Sequence, residues 1–253
     1  MLRRSGRFLT LLLLVGLATL AAAQETKGGR FDQQIQEDVD RMLQSNPRFQ
    51  NVHATTEDAM VTLSGSVKLY IDKLDADRHA HHIKHVEVVR NNIEVDGNIP
   101  DEVLLQKLAD KLRYDRVGFG IMFNNLKLSV KNGAVTISGD VRDYPSRDSA
   151  LAIVETEPGV KDVVNEINVL PVSTLDDELR IRVARVIYGH PALQKYAIDP
   201  QSPIRIVVEN GHVRLEGVVD SQMDKQIAGV QASSVPGVFS VQNDLAVANE
   251  KAK

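Results

Sequence analysis

One interval recurs three times along the chain and limits what the chain can fold into. Each time, a strand-like phrase ends on a glycine with valine two residues later, and a second valine-rich phrase opens 21 residues after that glycine. The glycines are Gly65, Gly139 and Gly217, and the valines that open the second phrase are Val86, Val160 and Val238. Self-similarity at a fixed spacing indicates tandem copies of one small domain rather than a single large fold.

Each copy has the hydrophobic pattern of an α-β-β-α-β unit. Apolar residues at helical spacing open it, and in the second copy these are Leu104, Leu105, Leu108 and Leu112. Alternating apolar residues then predict a strand, and Asn132-Gly133 and Asn210-Gly211 suit a tight hairpin turn, for which the first copy has the weaker signal Asp58-Ala59. A second helix and a final strand follow. The predicted class is α+β, with three tandem domains, each a three-stranded sheet with two helices packed on one face.

Proline and glycine mark where the second helix of a copy ends. Pro158-Gly159 and Pro236-Gly237 follow it in the second and third copies, and glycine suits the left-handed residue that closes a helix. The first copy has Lys84-His85 there, so its helix is expected to run on or end differently. The domains are predicted at residues 31–98, 101–170 and 174–248.

The aligned glycines of the repeat, Gly65, Gly139 and Gly217, allow two interpretations. A glycine without a side chain lets a ligand approach the backbone, but it also permits a bend or a close backbone contact inside a strand. The second interpretation is favoured, because glycine inside a strand pattern typically marks such a feature.

The first 23 residues have the pattern of a secretory signal peptide. Three arginines precede an apolar run from Phe8 to Leu20, and Ala21-Ala22-Ala23 supplies small residues for cleavage. The run of 13 residues is short for a bilayer span, which makes an uncleaved anchor the less favoured alternative. Because the chain has no cysteine, it lacks the lipid-attachment residue of a lipoprotein and any disulfide. A periplasmic protein that is not a lipoprotein is expected.

These phrases together resemble the BON domain. The order L/I-x-G-x-V, a helix of fixed length and V-x-x-V-x-N-x-I/L-x-V occurs three times in register over residues 31 to 248. The resemblance implies an α-β-β-α-β fold and a periplasmic protein of envelope maintenance and stress tolerance; the family includes an osmotically inducible periplasmic protein with two copies. It also implies weak peripheral binding to anionic phospholipid surfaces. The alternative is a chaperone-like or scaffolding role toward other envelope proteins.

Contact with a membrane surface requires exposed apolar residues flanked by cations, and the second copy offers the best candidate. The candidate lipid-binding residues are Lys107, Lys111, Arg113, Arg116, Phe119 and Phe123. The net charge of the chain is −4, so attraction to anionic lipid has to come from such a local patch. The alternative is that the apolar residues belong to the core and to interdomain packing.

Four histidines, His79, His81, His82 and His85, lie at helical spacings that can hold Zn²⁺ or Cu²⁺. If Ala76 and Ala80 face the sheet, however, the four rings point in different directions. A solvated helix end is therefore the favoured interpretation, and neither a metal nor a cofactor is predicted.

Catalytic and nucleic-acid-binding functions are not predicted. The sequence has no nucleophile elbow and no zinc-protease helix, so the protein is expected not to be an enzyme. It has no Trp, and its net charge is negative, which argues against a stacking platform or a basic footprint for nucleic acid.

Overall fold

The computed structural model describes residues 29–115, 121–198 and 203–248 and shows three consecutive α-β-β-α-β units. Unit one has α1 (Asp32–Ser45), β1 (Val52–Glu57), β2 (Met60–Val67), α2 (Tyr70–His81), β3 (Val88–Asn91) and β4 (Glu94–Val95). Unit two has α3 (Asp101–Tyr114), β5 (Asn125–Lys131), β6 (Ala134–Val141), α4 (Tyr144–Glu155) and β7 (Asp162–Val169). Unit three has α5 (Thr174–Gly189), α6 (Lys195–Ile198), β8 (Arg205–Glu209), β9 (His212–Glu216), β10 (Val218–Val219), α7 (Gln222–Ser233), β11 (Ser240–Asn243) and β12 (Ala246–Val247). The predicted α+β class is confirmed.

The same strand order recurs in all three sheets. In unit two, β5 pairs antiparallel with β6, and β7 pairs parallel with the other side of β6. Units one and three repeat this order, with their third strand interrupted into two short pieces. The two long helices of a unit pack against each other and against the sheet. The first strand of each unit, which is β1, β5 or β8, is therefore an edge strand.

Close backbone contact explains the repeated glycine. Gly65, Gly139 and Gly217 have φ values of +104°, +109° and +122°. A Cβ at Gly139 would lie 2.0 Å from the carbonyl oxygen of Asn125, which is far inside van der Waals contact. The glycine thus allows the start of β5 to approach the central strand at a local bend.

An aspartate near the start of each first helix holds the hairpin turn, a feature that the sequence pattern did not reveal. Asp101 accepts hydrogen bonds from the backbone N–H groups of Asn132 and Gly133 at 2.7 and 2.9 Å. Asp32 and Asp176 do the same at the equivalent turns. These bonds fix the first helix relative to the first two strands, so positions counted from the aspartate are equivalent in the three units.

The expectation that Lys84-His85 alters the end of the second helix is wrong. Helix α2 ends at His81, and α4 ends at the equivalent Glu155. His85 adopts a φ of +73°, close to the +96° of Gly159, and therefore makes the same turn without being glycine. Its ring stacks on Phe31 at a centroid distance of 3.8 Å.

Neighbouring units are packed together, and the two junctions differ. Units one and two share one cluster of buried apolar residues. Unit three has a separate cluster that includes Phe123 from the short 3₁₀ turn of unit two. Ion pairs also join units two and three: Arg214 pairs with Asp140, and Lys127 pairs with Glu216 at 3.2 Å.

Candidate functional site

A groove runs along the free edge of the first strand in units one and two, between that strand and the first helix. We call the one in unit two the edge groove; its volume is about 380 Å³. Its lining residues are Leu105, Gln106, Ala109, Leu112, Arg113, Asp115, Asn124, Leu126, Leu128, Ser146 and Arg205. The groove of unit one is lined from the equivalent positions, beginning at Gln36, and has a volume of about 330 Å³.

Side chains of the first helix cap the edge strand in units one and three. The amide of Gln36 donates to the carbonyl oxygen of Ala54 at 3.1 Å. In unit three, the equivalent Arg180 is 2% exposed and donates to the carbonyl oxygen of Val208 at 2.6 Å. Such bonds satisfy strand acceptors that have no sheet partner. The free edges of β1 and β8 are thus partly occupied by the chain itself.

Tyr188 caps a second carbonyl in unit three. Its hydroxyl donates to the carbonyl oxygen of Ile204 at 2.5 Å, and burial raises the pKa of the Tyr188 hydroxyl. Because the neutral phenol is the form that donates this bond, the cap is present throughout the physiological pH range.

Unit two lacks both caps. Leu105 occupies the position of Gln36 and Arg180, four residues after the turn-binding aspartate, and a leucine has no hydrogen-bond donor. Arg113 occupies the position of Tyr188, but its Nη1 donates to Asp110 at 2.9 Å instead. Within the described residues, no side chain bonds to the backbone of Leu126, Leu128 or Val130. The edge groove is therefore open along β5.

The lining of the edge groove is apolar at its floor and cationic at its rim. Leu105, Leu112 and Leu128 are half-buried, with part of each side chain facing the groove. Arg205 comes from unit three and donates to the carbonyl oxygen of Asn124 at 2.7 Å. Burial lowers the pKa of its guanidinium, yet arginine stays protonated in proteins. The groove thus combines apolar surface with positive charge.

The candidate lipid-binding cations do not form a free basic patch. Lys111 pairs with the buried carboxylate of Glu157 at 2.5 Å, and Arg113 pairs with Asp110. Lys107 is exposed on α3. Arg116 lies outside the described residues. Two of the three described cations are thus engaged by carboxylates of their own unit.

The aromatic part of the candidate patch is not displayed either. Phe123 is 4% exposed and packs in the hydrophobic core of unit three, so its predicted exposure to lipid is wrong. This is the interdomain packing that was the alternative interpretation. Phe119 lies outside the described residues. The sequence gave no signal for this destination, because a buried phenylalanine has the same pattern whichever unit it packs in.

The histidines of α2 and the turn after it do not converge. Across the described part of the chain, no three His, Asp or Glu side chains gather as metal ligands. Each ring has a separate neighbour: the Asp75 carbonyl for His79, the Arg78 carbonyl for His82, the Asp77 carboxylate for His81 and the Phe31 ring for His85.

Membrane-spanning segments are not found among the helices of residues 29–115, 121–198 and 203–248, none of which combines sufficient length with sufficient hydrophobicity.

Solved structures similar to the chain include two of CdsD, a structural protein of the type III secretion system of Chlamydia trachomatis. One, of the C-terminal domain, is 16% identical, and the match covers 83% of this chain and 96% of that chain with a TM-score of 0.25. The other is 18% identical and covers 85% and 93%, with a TM-score of 0.23. Scores this low carry no argument about arrangement or function. A search of curated proteins found no match.

The family comparison is decisive by contrast. The model of the BON domain matches residues 31–97, 100–171 and 191–249, one match in each unit. BON domains are non-catalytic, and the family supports an envelope-associated protein in general. The three matches cover most of the sequence and confirm the predicted tandem arrangement. The chain belongs to the BON domain family.

Proposed function

We propose that this protein is a non-enzymatic scaffold of the bacterial envelope, which holds segments of other envelope proteins in the edge groove of unit two. One observation carries the proposal: this groove is open where its counterparts are filled by Gln36 in unit one and by Arg180 and Tyr188 in unit three. An uncapped strand edge beside apolar surface is a recurrent mode of peptide recognition.

Export supports the same proposal. The signal-peptide pattern of residues 1–23 directs the mature chain to the periplasm. Unfolded or partly assembled envelope proteins expose extended, alternating segments there, and these match the edge groove in character. The absence of cysteine leaves the mature chain insensitive to the oxidising chemistry of that compartment.

Binding to anionic phospholipid is the competing proposal, and it has less to rest on. Its cations Lys111 and Arg113 are paired with carboxylates, and Phe123 is buried. What remains near them is Lys107 beside the exposed side chain of Tyr114 on α3. One lysine contributes only about 1 kcal/mol to attraction by an anionic surface.

Two assays on the chain without residues 1–23 distinguish the proposals. In the first, a urea-unfolded outer-membrane β-barrel protein is diluted into buffer, and its aggregation is followed by light scattering. A scaffold suppresses aggregation in proportion to its concentration. In the second, the chain is sedimented with liposomes of zwitterionic lipid or with added anionic lipid across a salt series.

The outcomes separate cleanly. Suppressed aggregation without sedimentation supports the scaffold. Sedimentation that requires anionic lipid, fades with salt and falls in the Lys107→Gln variant supports lipid binding instead. Failure to suppress aggregation of any unfolded client, at a tenfold excess of the chain, overturns the proposed function.

A further inference from the structure

We propose that the occupant of the edge groove is an extended protein segment that adds to β5 as a new strand and places a carboxylate against Arg113. This inference rests on the proposed scaffold function and specifies the chemistry of its partner. It follows from three properties of the groove: the direction of the β5 backbone groups, the apolar floor and the position of the cation.

The backbone of β5 presents donors and acceptors to the groove. Leu128 and Val130 are equivalent to Ala54 of unit one and Val208 of unit three, counted from the repeated glycine. The carbonyl oxygens of Ala54 and Val208 face the first helix, because its side chains bond to them. The matching groups of β5 therefore face the open edge groove. A strand in extended conformation satisfies them with main-chain hydrogen bonds, which a lipid headgroup does not reproduce along several residues.

The floor of the edge groove accepts alternate side chains of the added strand. Successive residues of a strand point to opposite faces, and Leu105, Leu112 and Leu128 form the surface on the helix side. The volume of about 380 Å³ lies within the range of about 300–1,000 Å³ that is typical of ligand clefts. A segment with an apolar residue at every second position thus fits the groove.

Arg113 gives the groove its preference for negative charge. A guanidinium has five N–H donors, and the bond from Nη1 to Asp110 uses one of them, toward a carboxylate that is 47% exposed. Arg205 adds a second cation to the lining. A carboxylate on the added strand is complementary to this rim, and an arginine–carboxylate bond is roughly twice as strong as a neutral hydrogen bond.

The chain itself supplies the test variants. Leu105→Gln and Leu105→Arg introduce into unit two the caps that units one and three use. Leu105→Ala is the matched control, because it shortens the same side chain without adding a donor. Gln36→Leu does the reverse and removes the cap from the groove of unit one.

The probe is a fluorescent ten-residue peptide of alternating valine and threonine that carries one glutamate, measured by anisotropy. We expect Leu105→Arg to weaken binding at least about tenfold, which is about 1.4 kcal/mol. Leu105→Ala changes affinity less than about threefold, and Gln36→Leu raises the stoichiometry toward two peptides per chain. A peptide with glutamine in place of glutamate binds the wild type more weakly, and that difference disappears in Arg113→Gln.

Backbone methylation tests the strand itself. N-methyl groups at alternate residues remove the N–H donors of one edge of the peptide and leave its side chains unchanged. We expect one of the two possible methylated peptides to lose binding and the other to keep it. Equal binding of both overturns strand addition.

Failure of this inference is distinguishable from failure of the proposed function. Equal affinity of the wild type and folded Leu105→Arg for the peptide overturns the site, and the absence of peptide binding to the wild type overturns the whole inference. In either case the scaffold proposal survives if the chain still suppresses aggregation. If Leu105→Arg does not fold, the stoichiometry of Gln36→Leu decides, and an unchanged value of one overturns the inference.

Discussion

Units one and two have the same helices and strands, but they differ at three sets of equivalent positions. The groove position holds Gln36 in unit one and Leu105 in unit two, so only the first is capped. The other two differences concern an aromatic residue before the first strand and a pair of side chains between the two helices. All three make unit two depend more on something outside itself.

The aromatic residue shows this dependence most directly. Phe49 and Phe123 each lie three residues before the first strand. Phe49 is 1% exposed and packs in the core of its own unit. Phe123 is almost as buried, but it packs in the core of unit three. The same sequence position therefore stabilises a unit in one case and a junction between units in the other.

The pair between the helices differs in chemistry. Unit one has Met42 and Ile83, which are both partly buried against the core. Unit two has Lys111 and Glu157 at these positions, joined at 2.5 Å, with the glutamate side chain only 5% exposed. Unit two thus replaces an apolar contact by an ion pair whose net contribution to stability is small. The comparison suggests that unit two is the most specialised and the least self-sufficient of the first two units.

The largest expected effect comes from truncating the two phenylalanines. Phe49→Ala and Phe123→Ala should each lower the free energy of unfolding by about 3–5 kcal/mol, because each deletes a buried aromatic ring. The location of the damage should differ. Hydrogen exchange should report faster exchange of unit one in Phe49→Ala and of β8 and β9 in Phe123→Ala.

Protection in unit one serves as the control for Phe123→Ala, since that unit makes no contribution to the core around Phe123. Exchange that increases in unit one as much as in unit three would show that the junction is not local, and the contrast between the two phenylalanines would then fail.

The second prediction concerns the ion pair. Lys111→Met alone should lower the free energy of unfolding by about 2 kcal/mol, below the 3–5 kcal/mol of fully buried pairs because Lys111 is half exposed. The double variant Lys111→Met/Glu157→Ile restores the chemistry of unit one and should lie within about 1 kcal/mol of the wild type. Urea unfolding of all four members of the cycle measures the coupling.

An additive result, in which the double variant is less stable than either single variant, would show that the ion pair and the apolar pair are not interchangeable. The matched control is Met42→Lys in unit one, which places an unpaired cation next to Ile83 and should be destabilising.

The sequence predicted the units, their order of elements and their turns, because these depend on local periodicity and on glycine or asparagine at fixed positions. The same reasoning failed at His85. The turn there requires a positive φ, which the pattern assigned to glycine, but the stacking of His85 on Phe31 holds a histidine in that conformation.

The candidate site was less accessible to sequence reasoning. Leu105 has the spacing of a core residue, and only the comparison with Gln36 and Arg180 in space shows that it leaves a strand edge uncapped. Lys111 was expected to be a free cation because its partner Glu157 is distant along the chain. Pairings of this kind depend on tertiary structure, which no local pattern records.

The smallest expected effect separates the two contributions of His85. His85→Ala removes the stacked ring and keeps a side chain at positive φ, so it should cost about 1 kcal/mol. His85→Gly also removes the ring but relieves the left-handed strain, which is about 1 kcal/mol for a residue other than glycine. His85→Gly should therefore be about 1 kcal/mol more stable than His85→Ala and close to the wild type. Thermal unfolding compares the three proteins. If the alanine and glycine variants melt together, the turn of unit one carries no strain, and its likeness to the Pro158-Gly159 turn of unit two is one of shape alone.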